Sequence, residues 1–109
     1  MTLHFAMPLL LLVAASVAYA VGGLFMKASS GVTRVGPALG FLALFILGAL
    51  AQARGMRDAD MSASYVFVLG VEAVVAVLLG TLYLREPLTL SRLVAIVLVV
   101  AGVAWLRLT

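Results

Sequence analysis

The sequence predicts an all-α integral membrane protein with four transmembrane helices. Hydrophobic residues make up 66% of the chain and charged residues only 10%, whereas a soluble protein is about 45–50% apolar. A domain of 109 residues cannot bury so much apolar surface, because most of its surface faces water. The apolar residues also gather into four runs, and a membrane-spanning helix needs about 20 such residues. A bilayer admits helices because they satisfy their own backbone hydrogen bonds.

The composition also excludes several classes of function. The seven Lys and Arg residues, which give a net charge of +3, stand at the ends of the apolar runs, where such residues act as anchors rather than as a nucleic-acid surface. There is no Cys and only one His, so no disulfide or Cys-based metal site is expected. Nucleotide-binding and catalytic motifs are absent from the sequence. We therefore predict no metal, no cofactor, no enzymatic activity and no nucleic-acid partner.

The first half of the chain contains two predicted helices. Helix one covers about residues 5–26 and does not resemble a cleavable signal peptide, since no Lys or Arg precedes Lys27. The stretch from Lys27 to Pro37 combines Ser, Gly and Pro residues with two charges, as is typical of a loop. Helix two covers about residues 35–53, with its start overlapping the end of this loop.

The second half contains two more helices, which complete a single transmembrane domain over residues 1–109. Helix three is predicted at about residues 62–84, after a polar loop, and helix four at about 88–107. A turn at Arg85–Pro87 separates them. Trp105 and Arg107 stand at the end of helix four, where interfacial aromatic and basic anchors belong.

The charges give no clear orientation in the membrane. With four crossings, three basic residues lie on one side and four on the other: Arg54, Arg57 and Arg107 against Lys27, Arg34, Arg85 and Arg92. The positive-inside rule therefore predicts no strong preference. Either a partner chain fixes the topology, or the chain inserts both ways and permits an antiparallel dimer.

Glu72 is the main candidate for a functional residue. It is the only charged residue between residues 62 and 84, and an ionisable side chain at this depth is costly and marks a functional site by default. A carboxyl group that binds a proton and a cation in turn is what coupled exchange requires. The alternative is structural: a protonated Glu72 that donates one hydrogen bond to a backbone carbonyl and fastens the helices.

Two tyrosines are candidates for the same site. Tyr65 lies seven residues before Glu72 and so shares its helical face, near Val68. Tyr19 shares a face of helix one with Ser16 and Gly22, and we count Ser16 and Val68 as further candidates for the substrate- or proton-binding site. If both faces turn inward, the phenols and the carboxyl group line a common cavity, in which buried hydroxyl groups need partners and Glu72 is the one anion at hand. The alternative for Tyr19 is a packing role without a ligand.

The sequence resembles the small multidrug resistance transporters, a family within the drug/metabolite transporter superfamily. The likeness runs in register through nearly the whole chain, on Gly22–Lys27, Ser29, Gly31, Thr33, Arg34, Pro37, Tyr65, Gly70 and Ala101–Val103. It implies a multi-pass protein of the bacterial inner membrane that works as a dimer. Such a protein exports a cationic or amphipathic small molecule by alternating access.

At three positions the sequence differs from the residues expected in that family. Its members carry an essential glutamate in helix one, and the matching residue here is Tyr19. A family Trp in helix three corresponds to Val68, and a family Gly in helix four to Ala95. Small residues permit close helix packing in lipid, and the resemblance implies a dimer seam on helix four. The predicted packing residues are Gly22, Gly70, Ala95, Ala101 and Gly102.

Helix three also resembles another branch of the superfamily. Glu72, Gly80 and Glu86 reproduce a spacing found in larger ten-helix members of the EamA type. The Arg85–Pro87 turn is similar to that of small subunits that flip aminoarabinose-modified lipids. These likenesses leave two alternatives open: a flippase subunit for a lipid-linked substrate, and a non-transporting structural subunit. The partner is accordingly a second copy or a similar small subunit in a heterodimer, with a small molecule or a lipid as substrate.

Overall fold

The computed structural model of the chain contains four consecutive α-helices. It describes the backbone of residues 2–108 and the side chains of residues 7–108. The helices are α1 (Thr2–Ala28), α2 (Val35–Gly55), α3 (Met61–Tyr83) and α4 (Leu90–Leu108). All four are long and apolar enough to cross a membrane, and the described range contains no strand. The predicted fold class is therefore confirmed.

The first loop is shorter than the sequence suggested. Helix α1 continues through Lys27 to Ala28, and Pro37 lies in the first turn of α2, where the missing N–H group of proline is tolerated. The loop of residues 29–34 is organised by Ser29, whose buried hydroxyl group donates to the Met26 carbonyl at 2.7 Å and accepts from the N–H group of Val32 at 3.1 Å. This bonding closes the end of α1 within one turn.

Helices α1 and α2 pack closely through glycines that lie under aromatic rings. Gly48 lies beneath the ring of Tyr19, and Gly22 lies beneath the ring of Phe45. The rings of Tyr19 and Phe45 meet edge to face, with their centroids 5.9 Å apart. In lipid such close approach is what holds helices together, because burial from water contributes nothing there.

Helix α1 also packs against α3, whereas α3 is the main packing partner of α4. The close point between α3 and α4 is Gly70, which faces Val103. The guanidinium group of Arg107 stands 5.4 Å from the centroid of the Phe67 ring, a cation–π contact between the end of α4 and the first half of α3. No residue of α4 between Leu90 and Leu108 is buried, so this helix presents most of its surface outward.

Candidate functional site

Tyr19 of α1 is hydrogen-bonded to helix α2. Its hydroxyl group donates a hydrogen bond of 2.7 Å to Oε1 of Gln52. We expected Glu72 to serve the buried phenols, and the structure gives the Tyr19 hydroxyl group to this amide instead. The ring of Tyr19 packs on Gly48, as the packing role considered for it requires, while its hydroxyl group forms a polar pair with Gln52.

Gln52 is the residue of this region that sequence reasoning missed. It is only 7% exposed, and its Nε2 atom has no hydrogen-bond partner. It lies on the face of α2 that turns toward α1, in step with Phe45 and Gly48 at helical spacing. That spacing was the available signal for Gln52 in the sequence.

Glu72 lies on the inner face of α3. Ser64 and Val68, respectively two turns and one turn earlier on this face, are both buried, and Val68 is 2% exposed. Glu72 itself is partly exposed, and among the side chains of residues 7–108 none forms a hydrogen bond or an ion pair with it.

Tyr65 and Glu72 both lie close enough to Tyr19 to act electrostatically on its hydroxyl group. The structure therefore brings near one another the two phenols and the carboxyl group that the sequence offered as candidates. Tyr65 nevertheless lies at the edge of the group, since it is 47% exposed. Two phenols and one carboxyl group thus lie near one another on α1 and α3.

Ser16 and Val68 hold packing positions in this arrangement. The Ser16 side chain is fully buried, and its hydroxyl group donates to the Leu12 carbonyl at 2.8 Å within α1. Val68 is likewise buried, one turn before Glu72 on α3. Both side chains are buried, and the hydroxyl group of Ser16 is already satisfied within its own helix.

The predicted packing residues divide into two sets. Gly22 and Gly70 are buried and each meets a side chain of a neighbouring helix. Ala95, Ala101 and Gly102 are exposed on α4, and no atom lies within 4 Å of the place where a Cβ atom of Gly102 would stand. The first set builds the single chain, and the second remains open to a partner. Within the described residues, no group of His, Asp or Glu side chains is arranged to hold a metal ion.

Comparison with known proteins places this architecture in one family. The family model for the Small Multidrug Resistance protein matches residues 7–99. A multidrug resistance protein, mmr, of Mycolicibacterium paratuberculosis is 31% identical over 107 residues, covering 94% of this chain and 97% of the relative. A guanidinium exporter of Salmonella typhimurium is 31% identical, covering 85% and 86%. The quaternary ammonium compound-resistance protein QacH of Staphylococcus saprophyticus is 24% identical, covering 93% and 94%. The chain therefore belongs to the small multidrug resistance family, and it is a multi-pass transporter of the bacterial inner membrane rather than an enzyme.

Proposed function

We propose that the chain works as a dimer that transports an organic cation and uses Glu72 as its cation- and proton-binding carboxylate. The main support for this proposal is the position of Glu72, which lies on the inner face of α3 near Tyr19. Among the described side chains, none forms a hydrogen bond with it. A lone carboxyl group at membrane depth needs a counter-charge or a proton. A cationic substrate and a coupling proton supply these in alternation.

In this proposal Tyr19 stands in helix one where the family resemblance leads us to expect a glutamate, so the carboxylate role is assigned to Glu72 on α3. A phenol ordinarily keeps its proton at neutral pH, and this hydroxyl group donates to Gln52. Tyr19 therefore offers a ring face and an oxygen to a cation but no negative charge. Glu72 supplies the charge from the opposing helix, so that one carboxyl group per chain is retained in a different place.

The proposed substrate class rests on Glu72 and the two neighbouring tyrosines, and on the names of the relatives. A carboxylate with two neighbouring phenol rings favours a cation that is large and weakly hydrated. Two of the relatives are named for guanidinium and for quaternary ammonium compounds, which are organic cations of this kind. We extend that class, and no single member of it, to this chain.

A dimer supplies the volume that one chain lacks. Helix α4 has no buried residue in its described range, and its small residues Ala95, Ala101 and Gly102 leave room for a second helix. Alternating access then exchanges two arrangements of the two chains around a midplane site, as in other transporters built from repeated units. The near balance of basic residues, three against four, favours an antiparallel pair of one sequence, with a similar small subunit as the alternative partner.

Transport by reconstituted protein tests the proposal. We expect proteoliposomes to move guanidinium or quaternary ammonium ions when a proton gradient is imposed, and Glu72→Gln to abolish that movement. Asp60→Asn is the matched control, because Asp60 is an exposed acidic residue whose side chain makes no cap hydrogen bond. Equal transport by Glu72→Gln and the parent chain would refute the assignment of Glu72.

A lipid-linked substrate is the second candidate, favoured by the relation between Gly80 and Glu86. The carboxyl group of Glu86 packs directly on Gly80 at the end of α3. The Gly80–Glu86 spacing, which resembles that of the larger superfamily members, therefore corresponds to a contact in this chain. A fluorescent lipid-flipping assay in the same vesicles separates this candidate from cation transport. Loss of thermal stability in Glu72→Gln, with neither activity present in the parent, would instead favour the structural-subunit alternative.

A further inference from the structure

A cavity lies between the ends of α1 and α3, on the side of the membrane where the loops of residues 29–34 and 84–89 emerge. Its volume is about 230 Å³. Most of its wall is apolar, and only two charged residues, Lys27 and Glu86, line it. The apolar part of the lining consists of Ala20, Gly23, Leu24, Ala76, Leu79, Gly80 and Leu84.

Glu86 is held over α3 by the turn that follows this helix. The N–H groups of Leu84 and Glu86 both donate to the carbonyl of Gly80, at 3.1 Å and 3.0 Å. Arg85 between them has a left-handed backbone with φ of 56°, which is uncommon for a residue with a side chain. As a result, the carboxyl group of Glu86 rests on the open surface of Gly80 and faces the cavity instead of extending away from the helix.

Lys27 brings the opposite charge to the same cavity. It lies in the last turn of α1, and within the described residues it forms no ion pair with Glu86. Gly23, one turn earlier, widens the cavity, because no atom lies within 4 Å of the place where its Cβ atom would stand. Two opposite charges therefore line one space without contacting each other.

We propose that this cavity binds the headgroup of a zwitterionic phospholipid with a primary ammonium group, of the ethanolamine class. The ammonium group donates hydrogen bonds to the Glu86 carboxylate, and the phosphate accepts from the Lys27 ammonium group, as charge-assisted bonds. The cavity is smaller than the roughly 300–1,000 Å³ of pockets for drug-sized molecules, so it suits a headgroup. The acyl chains leave it along the apolar side chains of Leu24 and Leu79 into the bilayer.

Charge complementarity selects this class of lipid. A headgroup with only negative charge meets the Glu86 carboxylate unfavourably, and a trimethylammonium headgroup has no N–H group to donate to it. The site is distinct from the proposed transport site, although it borders that site: Ala20 adjoins Tyr19, and Ala76 is one turn beyond Glu72. The bound lipid would therefore stabilise the packing of α1 against α3.

The test measures lipid binding to the purified full chain by native mass spectrometry and by thermal melting in detergent. We expect ethanolamine lipid to bind more tightly, and to raise the melting temperature more, than choline or glycerol lipid with the same acyl chains. Glu86→Gln should weaken the binding of ethanolamine lipid by about tenfold or more, because it removes one charge-assisted hydrogen bond. Lys27→Gln should weaken it similarly.

Gly80→Ala provides a variant that keeps every charge. Its methyl group would occupy the place where the Glu86 carboxyl group lies, and since Glu86 is flexible the carboxyl group can move away without unfolding the helix. It should lose selectivity for ethanolamine lipid, whereas the control Gly36→Ala, whose methyl group meets no atom within 4 Å, should retain it. Gly23→Leu, which fills the cavity, should also prevent binding.

Three results would overturn the proposal. Equal binding of all three headgroups would show ordinary solvation by lipid. Equal destabilisation by Lys27→Gln and Glu86→Gln in lipid-free detergent, with lipid binding unchanged, would show an internal ion pair. Binding of soluble phosphoethanolamine as tightly as the lipid would identify a free solute, not a lipid, as the ligand.

Discussion

Replacing Tyr19 by Phe is expected to destabilise the helix bundle more than replacing its partner Gln52 by Leu. The Tyr19 hydroxyl group donates to Oε1 of Gln52 at 2.7 Å, and Nε2 of the same amide has no partner. Tyr19→Phe therefore leaves a buried amide with both polar atoms unsatisfied. Gln52→Leu instead removes an atom that is already unsatisfied and leaves only one hydroxyl group without a partner.

The magnitudes follow from the number of unpaired groups. Tyr19→Phe should cost about 1–2 kcal/mol, since it removes one hydrogen bond and strands the amide. Gln52→Leu should change the free energy of unfolding by less than about 1 kcal/mol, because the loss and the relief oppose each other. The double variant should be about as stable as the parent, or more stable, because replacing both members of a buried polar pair with apolar groups can be neutral or stabilising.

Equilibrium unfolding in mixed detergent micelles, followed by circular dichroism, measures all four proteins in one double-mutant cycle. A coupling energy of about 1 kcal/mol is expected between neighbours that share a hydrogen bond. If the two single changes simply add, or if Gln52→Leu is the more damaging of the two, the polar pair does not stabilise the packing of α1 on α2 as described.

Three further changes test other parts of the fold. Gly48→Ala places a methyl group 2.7 Å from Cε1 of Tyr19 and should lower the free energy of unfolding by about 1–3 kcal/mol. The control Gly23→Ala, whose methyl group meets no atom within 4 Å, should be neutral or slightly stabilising. Similar costs for both would contradict the close α1–α2 packing. Ser29→Ala removes both hydrogen bonds of a buried hydroxyl group and should lower the free energy of unfolding by about 1–3 kcal/mol. No loss of stability would show that other contacts close the loop. Gly102→Leu should reduce cross-linked dimer while the helix content measured by circular dichroism stays unchanged, and undiminished dimer would exclude this face of α4 as the seam.

The fold was predictable because the bilayer imposes a simple rule on the sequence. Length and apolar character alone identify four spans, since a helix is the form in which an isolated segment satisfies its backbone in lipid. The loop limits were less predictable: Lys27 looked like the start of a loop but lies inside α1. A basic residue at a helix end is compatible with either assignment, because its long side chain can reach the interface from within the helix.

The site was predictable in part. Glu72 was a candidate as the one charge in its apolar run, Tyr65 through its spacing from Glu72, and Tyr19 through its helical face and the family resemblance. The structure brings these three side chains within electrostatic range. The partner of Tyr19 was not predictable from charge, because Gln52 is neutral and its role depends on how α2 is rotated against α1. The position of Glu86 depends on the left-handed backbone of Arg85. The sequence does not indicate this conformation, because the residues that commonly adopt it are Gly and Asn.

Transport driven by a proton gradient in vesicles containing Glu72→Gln tests whether Glu72 is the carboxylate that binds the cation and the proton. The parent chain and the Asp60→Asn control should both move an organic cation against its concentration gradient. The Glu72→Gln chain should remain folded and dimeric but show no gradient-driven movement, because its amide can neither release a proton nor balance a cation. Undiminished transport by Glu72→Gln would contradict the account and return Glu72 to a role in helix packing.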